Sequence, residues 1–239
     1  MLGFSTLLIT TALAAGVASA GENAELVFGT THDINSPAYR YAHEYLRQLC
    51  LENKLRCVLR SLPGRRSEAM LAIGKIDGEF GRVKAYGIRH PEYARVEEPF
   101  NVSLTRIFTR QPHDISNWQS LTSFAHTVSY KRGVFLYQQR LESMRPAVQL
   151  HDVQSEAACL QVVLARHSDA CVFDDGGVSG DAQHLLKQGY SSASIEDLPL
   201  YIYLDKRHAA LAAPLNETAK RMLARGIPAQ LRRSYYELK

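Results

Sequence analysis

Ser67-Glu68-Ala69-Met70-Leu71-Ala72-Ile73-Gly74-Lys75-Ile76-Asp77 reads as an apolar helical run, a basic residue, and an aspartate at the mouth of a short strand. The same phrase returns as Ser155-Glu156-Ala157, an apolar run, Arg166, and then Asp169 before Ala170-Cys171-Val172-Phe173. Two copies of helix, basic residue, aspartate and strand, far apart in one chain, predict two similar lobes. A cleft between lobes is a natural place for a small ligand. Each aspartate precedes its strand, which puts it at the amino edge of its sheet, so both are read as turn and cap residues.

The elements around the first copy support this reading. Residues 26–29 form a short apolar strand and residues 30–35 a polar loop. Ser36 then caps a helix, with Pro37 in the favoured first position. Ala38, Ala42, Tyr45, Leu46 and Leu49 share one helical face. A strand over 55–62 ends at Pro63-Gly64, and a helix over 67–73 and a strand over 76–80 follow. This alternation predicts a mainly parallel sheet with right-handed crossovers. Around the second copy lie a strand over 127–130, the turn Lys131-Arg132-Gly133, a helix over 134–144 and a strand over 148–153. Between the copies, residues 102–109 alternate like a strand, and the polar break at 111–117 is a candidate crossing point. A strand over 200–204, opened by Pro199, reads as the return crossing. Asn216 is expected to cap a last helix that runs to Arg225 and stops at Gly226.

Residues 4–17 are apolar or small and uncharged, and Ala18-Ser19-Ala20 has the small-x-small form of a signal peptidase site. The run is shorter and richer in alanine than the roughly 20 strongly apolar residues of a membrane span. Residues 1–20 are therefore expected to be a cleaved signal and the mature chain to be periplasmic. The expected division is 21–110 for lobe 1, with a return from about 200–239, and 111–199 for lobe 2.

Composition narrows the function classes. The 239 residues are 46% hydrophobic and 22% charged, ordinary for a globular protein. The net charge of +4 is spread along the chain. Arg65-Arg66 and Arg232-Arg233 are pairs and not runs, so no nucleic-acid partner is expected. The cysteines are Cys50, Cys57, Cys159 and Cys171. An even count in an exported chain favours disulfides, and four cysteines allow three pairings. Pairing Cys50 with Cys57 and Cys159 with Cys171 would join a helix to its following strand inside each lobe; buried free thiols are the other reading. No CxxC or HxxxH spacing and no phosphate loop occurs, so neither metal nor cofactor is expected.

The order of elements resembles the bacterial extracellular solute-binding proteins of family 3. Four stretches carry the resemblance: residues 68–78; Arg95-Val96-Glu97-Glu98-Pro99-Phe100; Val128-Ser129-Tyr130-Lys131-Arg132-Gly133; and Ser155-Glu156-Ala157 through Asp174-Asp175. The resemblance implies an α/β type II fold of two lobes, each a mainly parallel sheet flanked by helices, joined by two crossing strands. It implies capture of a small polar or anionic, amino-acid-like solute for transport, a monomer, and a membrane permease complex as partner. Three positions depart from the family pattern: a shortened loop at 30–37, no Thr-x-x motif before Arg89, and Val134 where a Ser or Thr usually follows the glycine. A non-transport sensory module and a dehydratase-like enzyme are the alternatives. The enzyme reading would use Asp174, Asp175 or His32 as general acid.

Candidate ligand residues follow from strand ends, since open α/β sheets bind at their carboxyl edges. Arg82 ends the strand after Asp77, and Arg89 has the family's spacing for a carboxylate-binding arginine. Asp174 and Asp175 end the second-lobe strand and would receive an ammonium group. Gly133 opens a helix and so offers backbone N–H groups to an anion. His32 and Asp33 follow the first strand, and Tyr130 is placed to stack on a ligand.

Overall fold

The computed structural model describes residues 25–236, so the expected signal peptide lies outside the described residues. The first segment runs β1 (Glu25–Thr30), α1 (Pro37–Glu52), β2 (Arg56–Ser61), α2 (Gly64–Ala72), β3 (Gly78–Val83) and α3 (Lys84–Arg89). A long strand β4 (Ala94–Thr109) leads away from it. The second segment runs β5 (Thr127–Lys131), α4 (Phe135–Glu142), β6 (Gln149–Val153), α5 (Glu156–Leu164) and β7 (Ala170–Asp174). After the short β8 (Tyr190–Ser191), β9 (Glu196–Leu204) returns, and α6 (Ala212–Ala224) and α7 (Ile227–Tyr235) close the chain.

The strands form one sheet in the order β2-β1-β3-β9-β4-β7-β5-β6, with β8 beside β4. Its two ends mirror each other. β1 pairs in parallel with β2 and β3, and β5 pairs in parallel with β6 and β7. The antiparallel pair β4 and β9 joins them, with β3 on β9 and β7 on the last five residues of β4.

The repeated phrase supplies the far edge of each end. Asp77 accepts a hydrogen bond from Val27 N at 2.9 Å, and its own N–H donates to Val27 O at 2.7 Å. Asp169 does the same for β5, accepting from Thr127 N at 2.9 Å and donating to Thr127 O at 2.9 Å. Both aspartates thus lock the amino end of a central strand to its neighbour, as turn and cap residues do.

Apolar side chains from 26–100 and 200–231 form one core, in which the Phe80 and Phe100 rings lie 4.2 Å apart. Two further clusters, around Val128 and around Leu160, belong to the stretch from Ile107 to Leu185. Each fully buried Phe or Leu contributes about 1.5–3 kcal/mol. The cysteines form two disulfides, Cys50–Cys57 between α1 and β2 and Cys159–Cys171 between α5 and β7.

Several boundaries differ from the sequence reading. Ser36 caps α1 as expected, accepting from Tyr39 N. Helix α2 begins at Gly64, earlier than the expected 67. β3 runs on to Val83, so Arg82 lies inside the strand. Pro199 sits within β9, opposite Val102. Asn216 is inside α6, where its side chain accepts from Glu98 N instead of capping. Gly226, in the left-handed region at φ 72°, separates α6 from the unanticipated α7.

Candidate functional site

The carboxyl ends of the strands from both halves face one cavity of about 100 Å³. His32, Arg82, Tyr86 and Arg89 line it from the first half, and Lys131, Gly133, Phe135, Glu156 and Asp174 from the second.

Arg82 owes its position to an irregularity in β3. The pairing with β9 slips between Phe80 and Arg82, at Gly81, whose φ of 94° favours glycine. A Cβ on Gly81 would also lie 3.2 Å from His32 Nε2. Such bulges re-aim the side chains that follow them. Arg82 donates through Nε to Glu79 Oε2 at 3.1 Å. Its Nη1 comes only within 3.9 Å of Glu68, outside hydrogen-bond range. Glu79 is fully buried, and burial raises its carboxyl pKa against the opposing pull of Arg82. Burial works to lower the Arg82 guanidinium, but Glu79 outweighs it and holds it above its ordinary value.

Two aromatic rings cover the guanidinium faces. Arg82 stands 5.1 Å and Arg89 5.8 Å from the Tyr86 ring centroid, and Arg89 lies 4.0 Å over Phe135, which belongs to the other half. The Tyr86 hydroxyl is buried without a hydrogen-bond partner among the described residues, and burial raises its pKa.

The second wall is tied differently. Lys131, at the end of β5, pairs with Glu156 at 3.0 Å and also donates to Thr31 O at 3.0 Å across the cleft. Glu156 is the first residue of α5, behind the Ser155 cap. Gly133 has φ 86°, and its carbonyl oxygen would lie only 2.8 Å from a Cβ on Gly64. The two backbones therefore touch across the cleft mouth. Asp174 accepts a hydrogen bond from the Ser103 hydroxyl. His32 is half-buried between these walls; burial first, then the Lys131 and Arg82 charges, push its imidazole down to about 3. It is neutral at physiological pH.

The structure thus brings His32, Arg82, Arg89, Gly133 and Asp174 to one cavity. Tyr130 packs in the second-half core with Val128 and Val172. Asp33 lines a separate polar hollow with Ser61, Arg132 and Gln154. Asp175 opens the short turn Asp175–Gly177 after β7. Sequence reasoning missed Tyr86, Lys131, Phe135 and Glu156. Glu156 carried a signal, since it is the glutamate of the repeated phrase, and its counterpart Glu68 also stands beside cleft cations.

A protein of Shewanella oneidensis, described as uncharacterized, is 30% identical over 213 residues, covering 85% of this chain and 72% of that protein. The chain belongs to that protein's family. No protein-family model matches the chain. Among solved structures, an ancestral amino acid-binding protein described as a precursor of cyclohexadienyl dehydratase superposes with a TM-score of 0.70 at 16% identity, covering 89% of this chain and 95% of that one. An arginine transport periplasmic binding protein of Legionella pneumophila gives 0.69 at 15% identity, over 90% and 100%. A histidine kinase sensor domain similar to periplasmic binding proteins gives 0.70 at 15% identity, over 88% and 95%. The type II binding-protein fold is therefore the architecture of this chain. Its characteristic pair of lobes corresponds to the mirrored ends of the sheet, and its linking strands to β4 and β9.

Proposed function

We propose that this protein is a periplasmic solute-binding protein that captures a small polar or anionic solute between its lobes. The observation that carries the reading is the cavity lined from both halves, with guanidinium edges on one wall and Lys131 bridging to Thr31 across it. A solute held there contacts both lobes at once, so binding favours the closed arrangement, a hinge motion about β4 and β9. The lobe division of 21–110 with 200–239, and 111–199, is part of the proposal. Its support is the separation of the core around Phe100 from the clusters around Val128 and Leu160. Export through a cleaved signal over 1–20 and delivery to a membrane permease as a monomer complete the reading.

A sensory role is the second reading, favoured by the sensor-domain neighbour of the same fold. In that case the closed lobes would signal to a membrane partner and not deliver cargo.

Thermal unfolding against a panel of small polar and anionic solutes, with solution scattering on the same samples, tests the proposal. A solute that raises Tm and compacts the protein is the expected result. A panel that leaves both Tm and scattering unchanged would overturn it.

A further inference from the structure

Helix α7, which the sequence reading did not anticipate, grips the linking strand β4 where that strand is irregular. The pairing of β4 with β9 loses register between Val96 and Asn101. Just past the slip, Arg232 Nη1 donates to Asn101 Oδ1 at 2.8 Å and to Val102 O at 3.1 Å. Asn101 Nδ2 in turn donates to the Tyr236 hydroxyl at 3.0 Å. The Tyr41 ring of α1 meets the Tyr236 ring edge-on at 5.8 Å, and the Arg232 guanidinium stands 4.9 Å from its centroid. Tyr41, Arg232 and Asn101 therefore fix the Tyr236 ring in one place.

That ring lies against the second lobe, on the turn that follows β7. A Cβ on Gly176 would fall 2.7 Å from both Cζ and Oη of Tyr236, well inside van der Waals contact. Only a glycine admits the ring there. The next residue, Gly177, lines the solute cavity, and a Cβ on it would fall 2.8 Å from Glu156 Oε1. The Gly176-Gly177 turn is thus pressed between Tyr236 on one side and Glu156, the partner of Lys131, on the other. Tyr236, Arg232, Asn101 and Gly176 do not line the cavity. The lobes also touch where Lys131 donates to Thr31 O and where Gly180 N donates to Asn35 O at 3.3 Å. The contact of Tyr236 with Gly176 therefore belongs to a closed arrangement.

We infer that Tyr236 is a hinge clasp: a positioning residue outside the cavity that holds the Gly176-Gly177 turn, and with it the Glu156 wall, in the closed arrangement. The inference rests on the two-lobed hinge proposed above and adds the contact that sets its balance. A solute that touches both lobes binds the closed form, so its apparent affinity scales with the closed fraction that the clasp maintains.

Spin labels at exposed positions of α2 and α4, introduced as Arg65→Cys with Gln139→Cys, test this by pulsed electron–electron double resonance with no solute added. The labelled parent is expected to populate two lobe-to-lobe distances, closed and open. Tyr236→Ala should lower the ratio of closed to open about fivefold. Gly176→Ala should lower it further, since its methyl group meets the ring. Adding Tyr236→Ala to Gly176→Ala should bring the ratio back to that of Tyr236→Ala alone, a coupling that two independent structural losses would not show. Tyr236→Ala adds no atoms, so it decides the outcome where Gly176→Ala does not fold. Two populations that neither variant shifts would overturn the clasp and leave the hinge standing. A double variant as open as Gly176→Ala alone would overturn the contact assigned to Tyr236. A single distance in every protein would overturn the hinge and the clasp together.

Discussion

In the first lobe Glu68 stands 3.9 Å from Arg82 and 4.0 Å from Arg89, whereas in the second Glu156 meets Lys131 at 3.0 Å. The two glutamates occupy the same place in the repeated Ser-Glu-Ala phrase. At the opposite edges the lobes are alike, with Asp77 and Asp169 each clasping the first residues of a central strand. The difference teaches where duplication matters. At the structural edge both copies need the same cap, because buried backbone N–H groups must be paired in either lobe. At the cleft edge the first copy keeps its glutamate at 3.9–4.0 Å from two arginines, one of which pairs with Glu79 instead, and the second closes its glutamate and lysine into a direct pair.

The largest expected break in this comparison is Arg82→Ala. It removes a guanidinium from the cavity wall, and solute affinity should fall roughly 100-fold, about 3 kcal/mol. It also strands Glu79 in the core, so stability should fall by about 3 kcal/mol in urea unfolding. Adding Glu79→Gln should recover most of the stability and none of the binding. Recovery of both would show that Arg82 acts only as the partner of Glu79.

The disulfides probe the lobes one at a time. Cys159→Ser with Cys171→Ser should cost about 2–3 kcal/mol of unfolding free energy, and the Cys50 and Cys57 double variant about the same. Calorimetry should show solute binding weakened more by the second-lobe pair, because Cys159 and Cys171 join α5, which carries Glu156, to β7, which carries Asp174. Equal effects on binding would break the proposed link between that bridge and the site.

Asp169→Ala removes a charged acceptor for His126 N and Thr127 N and should cost about 1.5–3 kcal/mol. It should leave solute affinity unchanged, since it acts at the far edge of the sheet. A matching loss of affinity would mean that the edges are coupled.

A pH dependence is also expected. His32 is held neutral in the folded protein, with its pKa pushed down to about 3 from the ordinary 6.5. Between these values the unfolded chain binds the extra proton, so this contribution to stability is full above about 6.5 and is lost as pH falls towards 3. His32→Gln should flatten the acid limb of a plot of Tm against pH. An unchanged limb would place its cause at other groups.

Much of this fold was legible because its signals are local. Ser36 caps where a serine ahead of an apolar run should cap, and the aspartate before each strand marks the far edge. The strand-end rule brought Arg82 and Asp174 to the cleft. What escaped depends on the third dimension. The bulge at Gly81 arises from pairing with β9, more than a hundred residues away, and it carries β3 past the expected end at Phe80. Lys131 was read only as part of a turn, since its partner Glu156 comes from another helix. Tyr130 alternates on β5 with Lys131, so when the lysine meets the cleft the tyrosine turns into the core. Asn216 looked like a cap, but the helix begins a turn earlier and the side chain serves β4 instead.

The most direct measurement is mass spectrometry of the small molecules released when protein purified from its native source is denatured. Solute capture against the Arg82 wall predicts a small polar or anionic solute at near-stoichiometric amount from the wild type, and its absence from Arg82→Ala. The same molecule retained in Arg82→Ala, or no small molecule from either protein, would contradict the account.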